Sequence, residues 1–157
     1  MSEQNFDLVV LGAGSGGYAA ALRASQLGLT VGLIEKGKVG GTCLHIGCIP
    51  TKALLHAAEV ADYAREAAHY GINVTFGGVD IAAVTKFRED IVAGKWKGLQ
   101  GHLKSRGIVT IEGEGRLTSP TTVQVGDITV TGKNVVLATG SYSRSLPGLE
   151  IGGRVIT

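Results

Sequence analysis

The sequence predicts an α/β fold with a parallel sheet and an antiparallel β-meander inserted late in the chain. Three observations predict it. A short apolar run at residues 7–11 leads directly into Gly12-Ala13-Gly14-Ser15-Gly16-Gly17 and then an alanine-rich helical stretch. A second apolar run, residues 29–34, ends on an acid, Glu35. After Gly107 the pattern changes to short alternating segments separated by turn residues. The chain's 157 residues suffice for one domain with a sizeable core. Its 44% hydrophobic and 18% charged residues are an ordinary globular balance. A net charge of +2 by itself points to no nucleic acid and no membrane surface. No apolar run approaches the length of a membrane-spanning helix. The first residues carry neither the basic nor the apolar region of a secretion signal, so the expected location is cytoplasmic.

The first run reads as a buried parallel strand. The glycines at 12, 14 and 17 match Gly-x-Gly-x-x-Gly, a weak pattern alone. Context strengthens it: a strand precedes, a helix over residues 18–27 follows, and Glu35 stands at the end of the next strand. Bare glycine backbone and a helix N-terminus suit a pyrophosphate, and Glu35 can accept hydrogen bonds from an adenosine ribose. Gly28 closes the helix as a residue beyond its C-terminus. A glycine-rich turn in an α/β unit without ligand is the plainer alternative.

The chain's only two cysteines, Cys43 and Cys48, have four residues between them, in a stretch running from Gly40 to Lys52. A disulfide across so small a loop adds little stability through chain entropy. Exposed or strained disulfides are the readily reduced kind, which suits catalysis. Pro50 reads as a first-turn helix residue, where a missing N–H costs nothing. That places Cys48 at a helix N-terminus, where the macrodipole favours a thiolate, with Cys43 as its partner. Two alternatives stand beside this redox pair. The cysteines could be small core residues, against which the flanking glycines argue. They could ligate zinc, for which only His45 and His56 are near in sequence.

A helix is expected from Pro50 to about Tyr70, with an apolar stripe at Leu54, Leu55, Ala58, Ala61, Ala64 and Ala68 and a stop at Gly71. Asp80 reads as the N-cap of a further helix to about Arg106. Glycines 94, 98 and 101 cost that helix stability unless something packs closely on them. Phe87 and Trp96 read as core or interface residues, and Lys86, Arg88, Lys95, Lys97 and Lys104 as a solvated face. Residues 108–112, 122–125 and 128–130 are expected as the meander, spanning about 108–132. Residues 134–141 read as a buried strand entering a small-residue turn. Thr139 and Gly140 then lie where a strand's carboxyl end meets a ligand crevice.

Together, Gly12-Ala13-Gly14, Glu35, the block from Gly40 to Lys52 and Ala138-Thr139-Gly140 resemble the flavoprotein pyridine nucleotide–disulfide oxidoreductases. The likeness covers essentially the whole chain and is most specific at the cysteine block. Cys48-Ile49-Pro50 and Ala53-Leu54-Leu55-His56 are similar to the lipoamide-directed branch. Glutathione and mercuric reductases share the architecture and usually carry Val around the second cysteine. His45 departs from the Asn often found between the cysteines and is taken as a local variation.

The resemblance implies a Rossmann-like FAD-binding domain of the glutathione-reductase type over residues 1–150, with 151–157 opening the segment that leads to an NAD domain. It implies tightly bound, non-covalent FAD on Gly12, Gly14, Ser15, Gly16 and Gly17, with Glu35 on the ribose. Further contacts would come from Lys36, Gly41, Thr42, the Gly115 backbone, Thr139, Gly140 and Ser141, and Lys52 would approach the flavin. Cys48 would touch the flavin and Cys43 would exchange with substrate. No metal is implied. NAD would be co-substrate, dihydrolipoamide on lipoyl domains of 2-oxo acid dehydrogenase complexes the substrate, and a homodimer the full-length form. Family members continue with an NAD domain, a returning FAD segment and an interface domain carrying a His–Glu pair. The four histidines here match no acid–base position of that kind. The chain is therefore expected to be the opening portion of such an enzyme, and inactive alone. Alternatives are another flavin disulfide reductase, or a nucleotide-binding module with idle cysteines.

Overall fold

The computed structural model describes residues 2–156. Met1 and Thr157, at the outer limits of the expected domain and following segment, lie outside the described residues. The elements run β1 (Ser2–Leu11), α1 (Ser15–Gln26), β2 (Val31–Glu35), α2 (Gly41–His45), α3 (Cys48–Glu66), α4 (Ile81–Ser105), β3 (Val109–Glu112), β4 (Gly115–Ser119), β5 (Thr122–Val125) and β6 (Ile128–Leu137), with a 3-10 turn at Ala67–Tyr70.

All the strands join one sheet in the order β3-β2-β1-β6-β5-β4. β3, β2, β1 and β6 are parallel, whereas β4, β5 and β6 pair antiparallel. The expected parallel sheet and meander are both present, with three revisions. Residues 108–112 do not belong to the meander. They form β3, parallel to β2 from Gly32↔Val109 to Glu35↔Glu112, because the long α4 carries the chain back before they begin. Alternation alone cannot distinguish those pairings, since both bury every second residue. The meander's first strand is instead β4. The expected strands at 128–130 and 134–137 are one strand, β6, which leaves the meander and enters the parallel sheet beside β1. That partnership also extends β1 back to Ser2.

Period-two alternation sorts the strands' side chains into two cores. Val10, Leu33 and Ile108 pack beneath α1 and the C-terminal half of α4, with Ala21, Ala24 and Leu103. Val9, Ile34 and Ile111 face the other way and meet Val123, Val125 and Val130 of the meander. The meander curls over that face so closely that a Cβ on Gly115 would lie 3.0 Å from Ile34 Cγ2. Leu33 and Ile34 are fully buried on opposite faces, so truncating either to Ala costs about 2–5 kcal/mol.

Asp80 caps α4, its carboxylate accepting from the Ala82 and Ala83 N–H groups. Gly71 and Gly107 follow the helix ends with positive φ, as expected. Nothing packs within 4 Å of where a Cβ would stand on Gly94, Gly98 or Gly101, so their cost to α4 is not offset by close packing. The apolar stripe of α3 is not buried: Leu54 and Leu55 are 42% and 58% exposed, and Ala53 is the helix's buried residue. α3 packs mainly on α4 and α2, away from the sheet. Lys86, Lys95, Lys97 and Lys104 are exposed, and Lys86 pairs with Asp90 at 2.9 Å.

At the opposite end of the sheet from the glycine motif, Asp7 ties three strands together. Its carboxylate accepts from the Thr30 N–H at 2.9 Å and from Lys133 Nζ at 2.7 Å. The Lys133 ammonium, then the Thr30 N–H and hydroxyl, hold the Asp7 carboxyl well below the usual carboxylate range. A carboxyl depressed in the folded state stabilises the protein above its unfolded pKa and loses that contribution as pH falls toward the folded value. Asp7→Asn therefore lowers the thermal midpoint at neutral pH. The gap between variant and parent closes as the pH falls below about 4, checked by melting curves across that range.

Candidate functional site

The site is built where β1 and β6 end. Gly12 N–H donates to the Ile34 carbonyl at 2.8 Å, and the chain turns sharply into α1. A Cβ on Gly12 would run into the Ala138 carbonyl, and one on Gly17 into the Gly12 carbonyl, so side chains are excluded sterically. Gly14 is the N-cap of α1 and has no side-chain cap, and the first turn holds no acid. The helix's opening amides thus remain for an anion. A Cβ on Gly14 or Gly16 would meet no protein atom within 4 Å.

Glu35 finishes β2 with both carboxylate oxygens engaged: Oε2 accepts from Ala13 N–H at 2.7 Å and Oε1 from Gly37 N–H at 2.9 Å. A carboxylate has about four lone-pair sites, so acceptor capacity remains for ligand hydroxyls.

Cys43 and Cys48 form a disulfide with their Cα atoms 4.6 Å apart. The tight loop expected around the pair is a short helix, α2, followed by a break at Ile46 and Gly47. Cys48 is the first residue of α3, at the helix start that Pro50 implied. Two contacts seat this segment on the glycine motif. Gly40 N–H donates to the Ala13 carbonyl at 2.8 Å. At Gly41, with φ 58, a Cβ would stand 2.7 Å from Gly14 Cα.

The result is a cleft of about 470 Å³. Gly12, Gly14, Ser15, Gly16 and Glu35 form one wall, Gly41, Thr42 and Cys43 a second, and Ala138, Thr139, Gly140 and Ser141 the third. A second cavity of about 220 Å³ shares Gly12, Glu35 and Thr139 with it and adds Lys36, Gly113, Glu114 and Gly115. Most residues singled out from sequence therefore converge. Gly17 is buried beneath the turn as a packing residue. Cys48 and Lys52 are exposed on α3, one turn apart, and line neither cavity. Ala138, Gly113 and Glu114 were missed. Gly113 was findable only by recognising residues 109–112 as a parallel strand, because its N–H then meets the Glu35 carbonyl at 2.9 Å. Also missed was the setting of His45, whose ring meets Trp96 edge-on with centroids 5.9 Å apart.

The fold, the glycine motif and the disulfide define a nucleotide-binding redox domain, and comparison with known proteins places it. A profile described as pyridine nucleotide-disulphide oxidoreductase matches residues 6–157, and the chain belongs to that family. It is 43% identical to leghemoglobin reductase of Vigna unguiculata, over 96% of this chain and 30% of that one. It is 42% identical to the mitochondrial dihydrolipoyl dehydrogenase 1 of Arabidopsis thaliana, over 96% of this chain and 31% of the relative. For the dihydrolipoyl dehydrogenase of Bacillus subtilis the identity is 41%, covering 96% and 35% respectively. The chain thus spans about a third of the length of these curated relatives.

The contact between Gly41 and Gly14 yields a prediction. Gly41→Ala forces a side chain against backbone in a conformation that side chains avoid, and costs about 1–3 kcal/mol in urea unfolding. Gly98→Ala, in open space on α4, leaves stability unchanged or raises it by up to about 1 kcal/mol.

Proposed function

We propose that this chain is the FAD-binding, disulfide-bearing portion of a dihydrolipoamide dehydrogenase. One observation carries the reading: Cys43, half of the disulfide, lies in the wall of the same cleft as the glycine motif. A dinucleotide site of this type suits FAD or NAD alike, and the adjoining disulfide favours FAD. The fit rests on the open space at Gly14 and Gly16, the uncapped amides of α1 and the spare acceptor capacity of Glu35. When bound, FAD supplies a two-electron acceptor between the thiols and NAD.

The chain's own residues would act as follows. α1's first amides hold the diphosphate, and Glu35 accepts from the ribose hydroxyls. Lys36 and the backbone at Gly115 serve the adenosine end, and Thr42, Thr139, Gly140 and Ser141 the remainder. A dithiol substrate's thiolate attacks Cys43 Sγ, forming a mixed disulfide and releasing Cys48 as a thiolate. The substrate's second thiolate then attacks its own bonded sulfur, closing the oxidised product and freeing Cys43 as a thiolate. The start of α3 favours the Cys48 thiolate, since its N-cap Gly47 provides no side-chain partner and its first turn no competing acid. The assignment of Cys48 and Lys52 to the flavin side rests on the resemblance. The reading further includes a homodimer, lipoyl domains of 2-oxo acid dehydrogenase complexes as partners, a cytoplasmic location, and a domain limit near residue 150.

The test is dihydrolipoamide-dependent reduction of NAD by the uninterrupted protein. Cys43→Ser and Cys48→Ser should each reduce turnover to background, and Glu35→Ala should weaken FAD binding about 10- to 150-fold, equivalent to about 1.5–3 kcal/mol. Residues 1–157 alone should turn over at least about tenfold more slowly than the uninterrupted protein. Turnover that survives loss of either cysteine contradicts the proposal. Purified protein that is colourless and takes up no FAD leaves a nucleotide-binding module instead.

A further inference from the structure

His45 lies between the two cysteines, and its Nε2 is 2.9 Å from the Val39 carbonyl. A carbonyl only accepts, so Nε2 carries the proton. The ring stands edge-on to Trp96 of α4, at 77° between planes. Lys38 Nζ lies 4.9 Å from the centre of the Trp96 ring. Trp96 packs against the core beneath the sheet. Its indole N–H is buried with no hydrogen-bond partner among the described residues, so ring contacts hold it in place. α2 has five residues, far fewer than an isolated helix needs to persist in water. Opening the disulfide removes the cross-link between α2 and α3 and leaves the backbone at Ile46 and Gly47 as their connection. Among the described residues, the His45–Val39 bond is the one side-chain hydrogen bond made by α2.

We propose that His45 is a positioning residue that keeps Cys43 opposite Cys48 in the dithiol state and so favours closure of the disulfide. This rests on the reading of the pair as a redox couple. Closure forms the Sγ–Sγ bond of Cys43 and Cys48. Two electrons and two protons pass to one oxidised glutathione, which leaves as two thiols.

The test equilibrates the full chain with glutathione at fixed pH and measures the closure constant by thiol alkylation and mass. His45→Ala should lower that constant roughly five- to tenfold, the scale of one hydrogen bond and its ring contact. His45→Gln keeps an N–H donor for Val39 and should recover part of the loss. By linkage the disulfide form of His45→Ala, in which the bond to Val39 is made, should lose more thermal stability than its dithiol form, in which the bond is made only part of the time. A His45→Ala constant within about twofold of the parent overturns the proposal. So does an equal loss of stability in the dithiol and disulfide forms, which marks general damage to the fold. If the parent pair itself fails to close, the redox reading fails before the role of His45 is reached.

Discussion

The site depends on one close approach, Gly41 against Gly14, fixed by the hydrogen bond from Gly40 N–H to the Ala13 carbonyl. It is a backbone-to-backbone contact that a side chain on Gly41 would break, whereas one on Gly14 would stand in open space. Through it the turn that carries the cysteines becomes a wall of the cleft opened by β1 and α1. Without it the glycine motif and the disulfide would be separate features of one domain. Gly12 and Gly17 act the same way a few ångströms off, letting the start of α1 close on the end of β1 beside Ala138.

Electrostatics then divides the cleft. The uncapped start of α1 offers partial positive charge to an anion, and Glu35 offers acceptors beside it. Because Glu35 is bound to Ala13 N–H, its position is set by the same turn that exposes those amides. A second uncapped helix start, that of α3, carries Cys48. Under the proposed function the two helix termini would serve two tasks, one toward a phosphate and one toward a thiolate. Holding these termini apart and in register requires rigid support, which the fully buried Val9, Val10, Leu33 and Ile34 provide from both faces of the sheet.

Much of this was legible in the sequence because the signals were local. Glycine spacing, a terminal acid, paired cysteines before a proline and an N-cap aspartate each report on a few neighbouring residues, and each appears where expected. What was not legible depended on strand partners. Residues 108–112 alternate like a meander strand, yet they pair in parallel with β2, and residues 128–137 form one strand serving two halves of the sheet. The apolar stripe on α3 says nothing of what covers it, and Leu54 and Leu55 on it are exposed. The contact between His45 and Trp96 joins residues that no sequence pattern links.

The central claim is that the glycine motif and the disulfide form one site, and bound FAD can test it through the thiols. The reduced chain is exposed to iodoacetamide alone, with saturating FAD, and with saturating ADP, which lacks the flavin. The account predicts that FAD slows alkylation of Cys48, the thiol assigned to the flavin side, several-fold and leaves Cys43 open to the reagent, while ADP changes neither rate. FAD bound at full occupancy, with Cys48 alkylated as fast as in its absence, would contradict it.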